Sequence, residues 1–100
     1  MISVHITCTS KKEAESIAQK LLDKKLAACV NVFPVTSFFL WKGRKEKSGE
    51  YALVGKTLSR TYAALENEVK KNHSYSVPFI SHWEEQTTAE VERWLESELG

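Results

Sequence analysis

The chain of 100 residues carries the side chains that bind transition metals most strongly, namely two cysteines and three histidines. They are Cys8, Cys29, His5, His73 and His82. Copper accepts thiolate, imidazole and carboxylate ligands, so these residues and a neighbouring acid could form a copper site. Their spacing matches no metal motif, since Cys-x-x-Cys, His-x-x-x-His and calcium-loop patterns are all absent. A metal site would therefore have to be assembled in space, within one subunit or between subunits.

Each candidate ligand also has a purely structural interpretation. Cys29 lies in an apolar stretch, where a free cysteine is commonly a small buried residue. His73 stands where a helix is expected to end, and a cationic imidazole is favourable near a helix C-terminus. His5 and His82 have polar neighbours on expected strands, which favours surface roles. The residue types alone leave both interpretations open.

Several classes of function are disfavoured by the sequence. There is no glycine-rich phosphate loop, no Gly-x-Ser-x-Gly elbow and no Cys–His pair at a recognisable spacing, so we predict no enzymatic activity. The loop from Thr9 to Lys12 lacks the arginine that an acylphosphatase-like site carries. A formal net charge of +1 gives no general attraction to nucleic acid or to an anionic membrane.

The N-terminus and the cysteine content indicate an intracellular protein. The first residues have no basic region and only a short apolar stretch, unlike a signal peptide. No apolar run approaches the roughly 18 residues of a membrane span. Two cysteines suggest no disulfide framework, which fits a reducing compartment. We expect a cytoplasmic location.

Four strands are predicted from alternation and from β-branched and aromatic content. Two of them form a long hairpin from about Val30 to Leu58, with the charged segment Lys42–Gly49 between them and a turn at Ser48-Gly49. Pro34 marks a bulge, a break or an edge in the first arm. The four segments are Ile2–Thr7, Ala27–Trp41, Glu50–Leu58 and Tyr75–Trp83.

Three helices are predicted between and after these strands. The first runs from about Lys11 to Lys25 and opens on a capping box of Ser10 and Glu13. A second begins after Ser59 as N-cap and ends at Asn72–Ser74. A third follows a capping box at Thr87–Glu90.

The resulting β-α-β-β-α-β order, followed by α, predicts one α+β domain over residues 1–100 with a ferredoxin-like antiparallel sheet. The extra C-terminal helix must pack elsewhere, for example on a neighbouring subunit. In this order the strand that carries Glu50 and Lys56 is not adjacent to the fourth strand. If these residues meet the His73–Pro78 segment, we expect them to meet across a subunit boundary.

Apolar side chains on both faces of the hairpin favour self-association. Phe38, Phe39 and Trp41 are nearly consecutive, so on a strand they must point to both faces of the sheet. One face can join the core, whereas the other would expose a large apolar area in a monomer.

Five short motifs occur in an order that resembles the CutA divalent-cation tolerance family. They are Lys25–Asn31, Trp41-Lys-Gly43, Glu50 followed by Lys56-Thr57, His73–Pro78 and Trp94. The resemblance covers nearly the whole chain. It implies a ferredoxin-like fold, a homotrimer in which the long hairpin reaches neighbouring subunits, and a role in copper or divalent-cation tolerance without an organic cofactor.

On this basis two sets of residues are candidates for a site. The candidate metal ligands are Cys29, His73 and Glu50, and the candidates for a cleft between subunits are Trp41, Lys56 and Tyr75. Two alternatives stay open, a trimeric signalling module similar to the PII proteins that binds a small anion between subunits, and a scaffold without a ligand. The basic hairpin tip and the acidic last helix could steer subunit docking or simply keep the chain soluble.

Overall fold

Four strands and three α-helices alternate along the chain, and the computed structural model describes all of residues 1–100. The elements are β1 (Ile2–Cys8), α1 (Lys11–Asp23), β2 (Cys29–Trp41), β3 (Arg44–Thr57), a 3₁₀ turn (Ser59–Thr61), α2 (Tyr62–Asn72), β4 (Ile80–Glu84) and α3 (Ala89–Leu99). The strands form one antiparallel sheet in the order β2-β3-β1-β4. The α+β prediction, with a ferredoxin-like order and an added C-terminal helix, is confirmed. None of the helices combines the length and apolarity that a membrane span requires.

The core lies between the sheet and the first two helices. Alternate residues of β1 are buried against them, and this strand ends on the fully buried Cys8. The apolar stripe of α1 consists of Ala14, Ile17 and Leu21. Ser10 caps α1 by accepting a hydrogen bond from the Glu13 amide, as the capping box predicts. The position of this helix start, three residues after β1, determines where the first turn of α1 lies.

The prediction for the hairpin was right about its length and wrong about its turn. The chain reverses at Lys42 and Gly43, whose φ angles are 50° and 78°, and not at Ser48-Gly49. A two-residue hairpin turn needs positive φ at both positions to match the twist of the strands, and glycine adopts it without strain. The charged residues from Arg44 onward therefore belong to β3. Pro34 lies within an unbroken edge strand, which agrees with one of the three predicted roles.

Three other boundaries differ from the prediction. The 3₁₀ turn at Ser59 precedes α2, and no side chain caps either segment. The strand β4 begins at Ile80, because Pro78 has no amide hydrogen for the sheet and pairing starts opposite Ile6. The cap of α3 is Thr88, whose hydroxyl accepts from the Val91 amide.

The last helix packs on its own chain. Leu95 is fully buried, and Arg60 forms a bidentate ion pair with Glu96 at 2.8 and 3.1 Å. Leu95 is therefore covered without a neighbouring subunit, whereas Trp94 on the same helix stays 42% exposed.

Replacing Gly43 with alanine is expected to lower the free energy of unfolding by about 1–2 kcal/mol, because a Cβ is disfavoured at positive φ. Urea unfolding followed by circular dichroism measures this change. Gly49→Ala is the matched control, since Gly49 lies in the same hairpin with no positive φ and no heavy atom within 4 Å of an added Cβ. Equal losses in both variants would contradict the assigned turn.

Candidate metal centre

Three potential metal ligands from distant parts of the sequence meet at one end of the inner strand β1. Cys8 ends β1, Glu13 lies in the first turn of α1, and His73 follows the last residue of α2. One ligand atom from each lies within 4.8 Å of those of the other two. The short β1–α1 loop and the end of α2 thus place a thiol, a carboxylate and an imidazole together. We name these three residues the Cys8 cluster.

The thiol of Cys8 is completely buried. Burial, followed by the negative charge of Glu13 and a hydrogen bond to it, raises the pKa of this thiol to about 12. The charge of Glu50 acts in the same direction. Near neutral pH the sulfur is therefore protonated and lies in negatively charged surroundings. Such surroundings favour a cation, which would replace the thiol proton.

The carboxylate of Glu13, which is on α1, binds the backbone of the β1–α1 loop and of the segment that follows α2. It accepts hydrogen bonds from the amides of Thr9 at 3.2 Å and Ser74 at 3.0 Å. Partial burial opposes ionisation, but the hydrogen bonds from Ser74 and Thr9 outweigh it and hold the pKa of Glu13 below its usual range. The group is therefore a carboxylate at neutral pH, and it supplies negative charge beside the thiol.

The ring of His73 is held by backbone groups on both of its nitrogens. Its Nε2 lies 2.6 Å from the carbonyl oxygen of Thr7, and its Nδ1 accepts a hydrogen bond of 3.1 Å from the Tyr75 amide. An amide can only donate, so Nδ1 carries the lone pair and Nε2 carries the proton. The ring is thus neutral in this arrangement, which is the form of histidine that ligates metals.

A second pair of polar residues lies beside the cluster. The Tyr75 hydroxyl donates to Oε2 of the buried Glu50 at 2.9 Å. Burial and this hydrogen bond raise the pKa of Tyr75 to about 12. Glu50 directly precedes Tyr51, which pairs with Cys8 across the sheet. The carboxylate therefore lies near the same end of β1 as the cluster.

The expectation that Glu50 and the His73–Pro78 segment meet across a subunit boundary was wrong. Tyr75 and Glu50 meet within one chain, although β1 separates β3 from β4 in the sheet. The contact forms because residues 73–79 are a loop at the end of β1 and not the first half of β4. The order of the strands in the sheet does not show where the loop of residues 73–79 runs.

The other predicted site residues lie elsewhere. Cys29 pairs with Lys56 at the far end of β3, six residues from Glu50, or roughly 20 Å along a strand. Lys56 donates to Ser3 at 2.6 Å and to Glu85 at 3.0 Å. Trp41 lies exposed at the hairpin turn. The structure therefore brings His73, Glu50 and Tyr75 into one region and leaves Cys29, Lys56 and Trp41 outside it.

Sequence reasoning did not select two members of the cluster. Cys8 was among the possible ligands but was passed over for Cys29, and Glu13 was interpreted only as part of a helix cap. The sequence did contain a usable signal. Cys8 is the last residue of a strand, and Glu13 follows five residues later in the first turn of the next helix, so both side chains lie at the same end of that strand. The ring of His5 meets Phe79 edge to face and that of His82 lies against Tyr62, and neither histidine joins the cluster.

The donor set suits a borderline or soft cation. Thiolate and imidazole select zinc and copper over magnesium and calcium, which prefer oxygen ligands. Three protein ligands leave a fourth position of a tetrahedral zinc ion free for water or another ligand. The residues present therefore fit a transition-metal cation.

Comparisons with known proteins identify the family. A model of the family described as CutA1 divalent ion tolerance protein matches residues 2–98. The divalent-cation tolerance protein CutA of Archaeoglobus fulgidus is 52% identical over 77 residues, which cover 77% of this chain and 76% of that protein. Its counterpart in Thermotoga maritima is 35% identical over 96 residues, or 95% of each chain. Protein CutA of Mus musculus is 36% identical over 99 residues, and the match covers 86% of this chain and 56% of that longer protein.

Solved structures of relatives have the same fold over their whole length. The structure described as a periplasmic divalent cation tolerance protein CutA from Archaeoglobus fulgidus gives a TM-score of 0.95 at 43% identity, with both chains fully covered. A divalent cation tolerance protein from Thermus thermophilus gives 0.94 at 35% identity, again with both chains fully covered. On the family match and these relatives, the chain belongs to the CutA1 divalent ion tolerance protein family.

Proposed function

We propose that this protein binds a divalent transition-metal cation, copper or one of similar preference, through the Cys8 cluster and thereby contributes to cation tolerance. The observation that carries the proposal is the approach of a thiol, a carboxylate and an imidazole within 4.8 Å. Cys8 would supply a thiolate, Glu13 a negative charge and His73 a neutral nitrogen. This set replaces the one inferred from the sequence, in which Cys29 was the sulfur ligand.

Two features suit binding rather than catalysis. The thiol of Cys8 is inaccessible to solvent. Its raised pKa keeps it protonated and makes it a poor nucleophile. The proposed role is therefore that of a cation-binding protein without an organic cofactor, acting in the cytoplasm.

We further propose that the protein functions as a homotrimer. Phe38 and Leu40 are each 75% exposed and Trp41 is 61% exposed in the single chain. They lie on the distal half of β2, a strand of 13 residues at the edge of the sheet with one side unpaired. Exposed apolar area and an open edge of this length favour association with other copies. The number three comes from the family resemblance.

The alternative of a PII-like module that binds a small anion finds little support in the single chain. A cleft of about 630 Å³ is lined by the carboxylates Glu84, Glu85 and Glu92. Lys56, the cation expected to receive an anion, is already paired with Glu85 at 3.0 Å. The proposed partners are thus divalent cations and further copies of the chain, with neither nucleic acid nor a membrane.

Calorimetric titration tests the proposed binding. Zn²⁺ is the first probe because it does not oxidise thiols, Cu²⁺ the second, and ATP serves as an anionic comparison. We expect heat from the metals at one site per chain and none from the nucleotide, while light scattering on the same sample gives the mass of three chains. Heat from ATP alone would favour the signalling alternative, and the absence of heat in every titration would overturn the proposal.

A further inference from the structure

The segment from Ser74 to Phe79 is attached to the protein by very few hydrogen bonds. Its amides and side chains bond to three residues, Ser74 to Glu13, the Tyr75 amide to His73 and the Tyr75 hydroxyl to Glu50. None of the ten backbone hydrogen bonds outside helices and strands involves the segment. Val77 is 86% exposed. The attachment therefore depends on residues in or beside the Cys8 cluster.

One of these bonds is chemically incompatible with metal ligation by His73. A neutral imidazole has one nitrogen with a lone pair and one with a proton. In the structure the lone pair of Nδ1 accepts from the Tyr75 amide, and the proton of Nε2 points to the Thr7 carbonyl. A cation needs a lone pair, so it must take one of these two nitrogens.

The Tyr75 amide loses its acceptor whichever nitrogen binds the cation. If the cation takes Nδ1, it occupies the lone pair that the amide now uses. If it takes Nε2, the proton of the neutral ring must move to Nδ1. Nδ1 then carries a hydrogen that faces the hydrogen of the Tyr75 amide, so the two groups can no longer bond. The hydrogen bond from Nε2 to the Thr7 carbonyl is lost as well. The Glu13 carboxylate differs, because a cation can displace the 3.4 Å contact from the Thr9 hydroxyl and leave the bonds from the Thr9 and Ser74 amides in place.

We propose that the hydrogen bond between His73 and the Tyr75 amide is a latch that a bound cation opens, so that the Ser74–Phe79 segment responds to cation occupancy. This inference rests on the proposed cation site. The segment leads directly into β4, the edge strand of the sheet, and carries the exposed side chains of Val77 and Phe79. Occupancy of a partly buried site is thereby transmitted to an exposed apolar segment. The protein thus has the elements of a cation sensor as well as of a cation binder.

Amide hydrogen exchange of the full chain, followed by NMR with and without saturating Zn²⁺, tests the latch. We expect Zn²⁺ to accelerate exchange of the Tyr75 amide by about fivefold or more, the effect of losing one typical hydrogen bond. The Val91 amide, which donates to the Thr88 hydroxyl, is the internal control and should not change. In His73→Ala the Tyr75 amide should exchange at the fast rate with or without the metal.

Calorimetry on the same samples separates this proposal from the cation site itself. Zn²⁺ that binds while exchange at Tyr75 stays unchanged or slows would overturn the latch and leave the proposed function standing. An absence of Zn²⁺ binding would overturn both. Acceleration that persists in Tyr75→Phe, which keeps the amide and loses the hydroxyl, would show that the backbone bond and not the contact with Glu50 carries the response.

Discussion

Replacing Cys8 with serine is expected to lower Zn²⁺ affinity by roughly 100-fold or more, whereas Cys29→Ser should leave it within about twofold. Loss of residues that merely support ligands costs about 10–100-fold, so loss of the sulfur ligand itself should cost at least as much. Cys29 lies at the other end of β3 and outside the cluster. Calorimetric titration of the two variants and of the unchanged protein measures the difference.

The pH dependence of the same titrations adds a second readout. Because burial raises the pKa of the Cys8 thiol to about 12, the thiol is protonated throughout the neutral range and releases a proton on binding. Release of this one proton should therefore raise the Zn²⁺ affinity about tenfold for each unit of pH between about pH 6 and about pH 8. This contribution should disappear in Cys8→Ser. Equal affinities for Cys8→Ser and the unchanged protein would rule out the thiol as a ligand.

The folding of Cys8→Ser must be checked, because Cys8 is fully buried and burying a serine hydroxyl without a hydrogen-bond partner lowers stability by about 1–3 kcal/mol. His73→Ala is the second variant, since His73 lies at the surface end of α2 and is only partly buried. His82→Ala removes an exposed histidine outside the cluster and is its matched control. We expect His73→Ala to lose affinity and His82→Ala to retain it, with unchanged circular dichroism in both.

The double substitution of Phe38 and Leu40 by serine is expected to convert the assembly to single chains at micromolar concentration. Burying a large apolar side chain is worth about 1.5–3 kcal/mol, so two such losses weaken association by roughly 10²- to 10⁴-fold per subunit. Both side chains are three-quarters exposed in one chain, so the substitutions should not disturb its own core. Light scattering against a dilution series measures the mass.

Leu22→Ser is the control for the loss of an exposed apolar residue. Leu22 lies on α1, away from the hairpin, and is 44% exposed. This variant should keep the mass of the unchanged protein. If the Phe38 and Leu40 substitutions also leave the mass unchanged, the hairpin is not the surface through which the chains associate.

Local patterns predicted those parts of the fold that local physics decides. The alternation of Ile2, Val4 and Ile6 reflects burial on one face of β1, and the Ser10 cap satisfies helix amides three residues ahead. Both signals act within a few residues, so they are visible in the sequence. The hairpin was also visible, because its two arms are long and rich in β-branched and aromatic residues.

The turn and the start of β4 were misplaced for reasons that local patterns do not contain. Ser48-Gly49 has turn composition, but register over the long hairpin puts the reversal at Lys42-Gly43. Tyr75–Phe79 has strand composition, yet it has no partner strand, and the polar groups of Tyr75 bond to His73 and Glu50 instead. The position of the turn and the start of β4 both depend on which residues of another strand pair with them.

The metal cluster was only partly predictable for a related reason. Its members stand at positions 8, 13 and 73, and no spacing rule connects a strand end, a helix cap and a helix end. His73, Glu50 and Tyr75 were selected because they lie in segments that resemble motifs of the CutA family. Cys8 was not selected because it lies outside the motifs that carry the resemblance, whereas Cys29 lies within one, and the structure shows that Cys8 is fully buried and next to Glu13.

X-ray absorption at the zinc edge, on the full chain with one equivalent of Zn²⁺, tests the central claim most directly. The Cys8 cluster predicts one sulfur at about 2.3 Å together with nitrogen and oxygen ligands at about 2.0–2.2 Å. The sulfur should be absent in Cys8→Ser and present in Cys29→Ser. A shell of nitrogen and oxygen alone in the unchanged protein, or a sulfur that disappears with Cys29, would contradict the assignment.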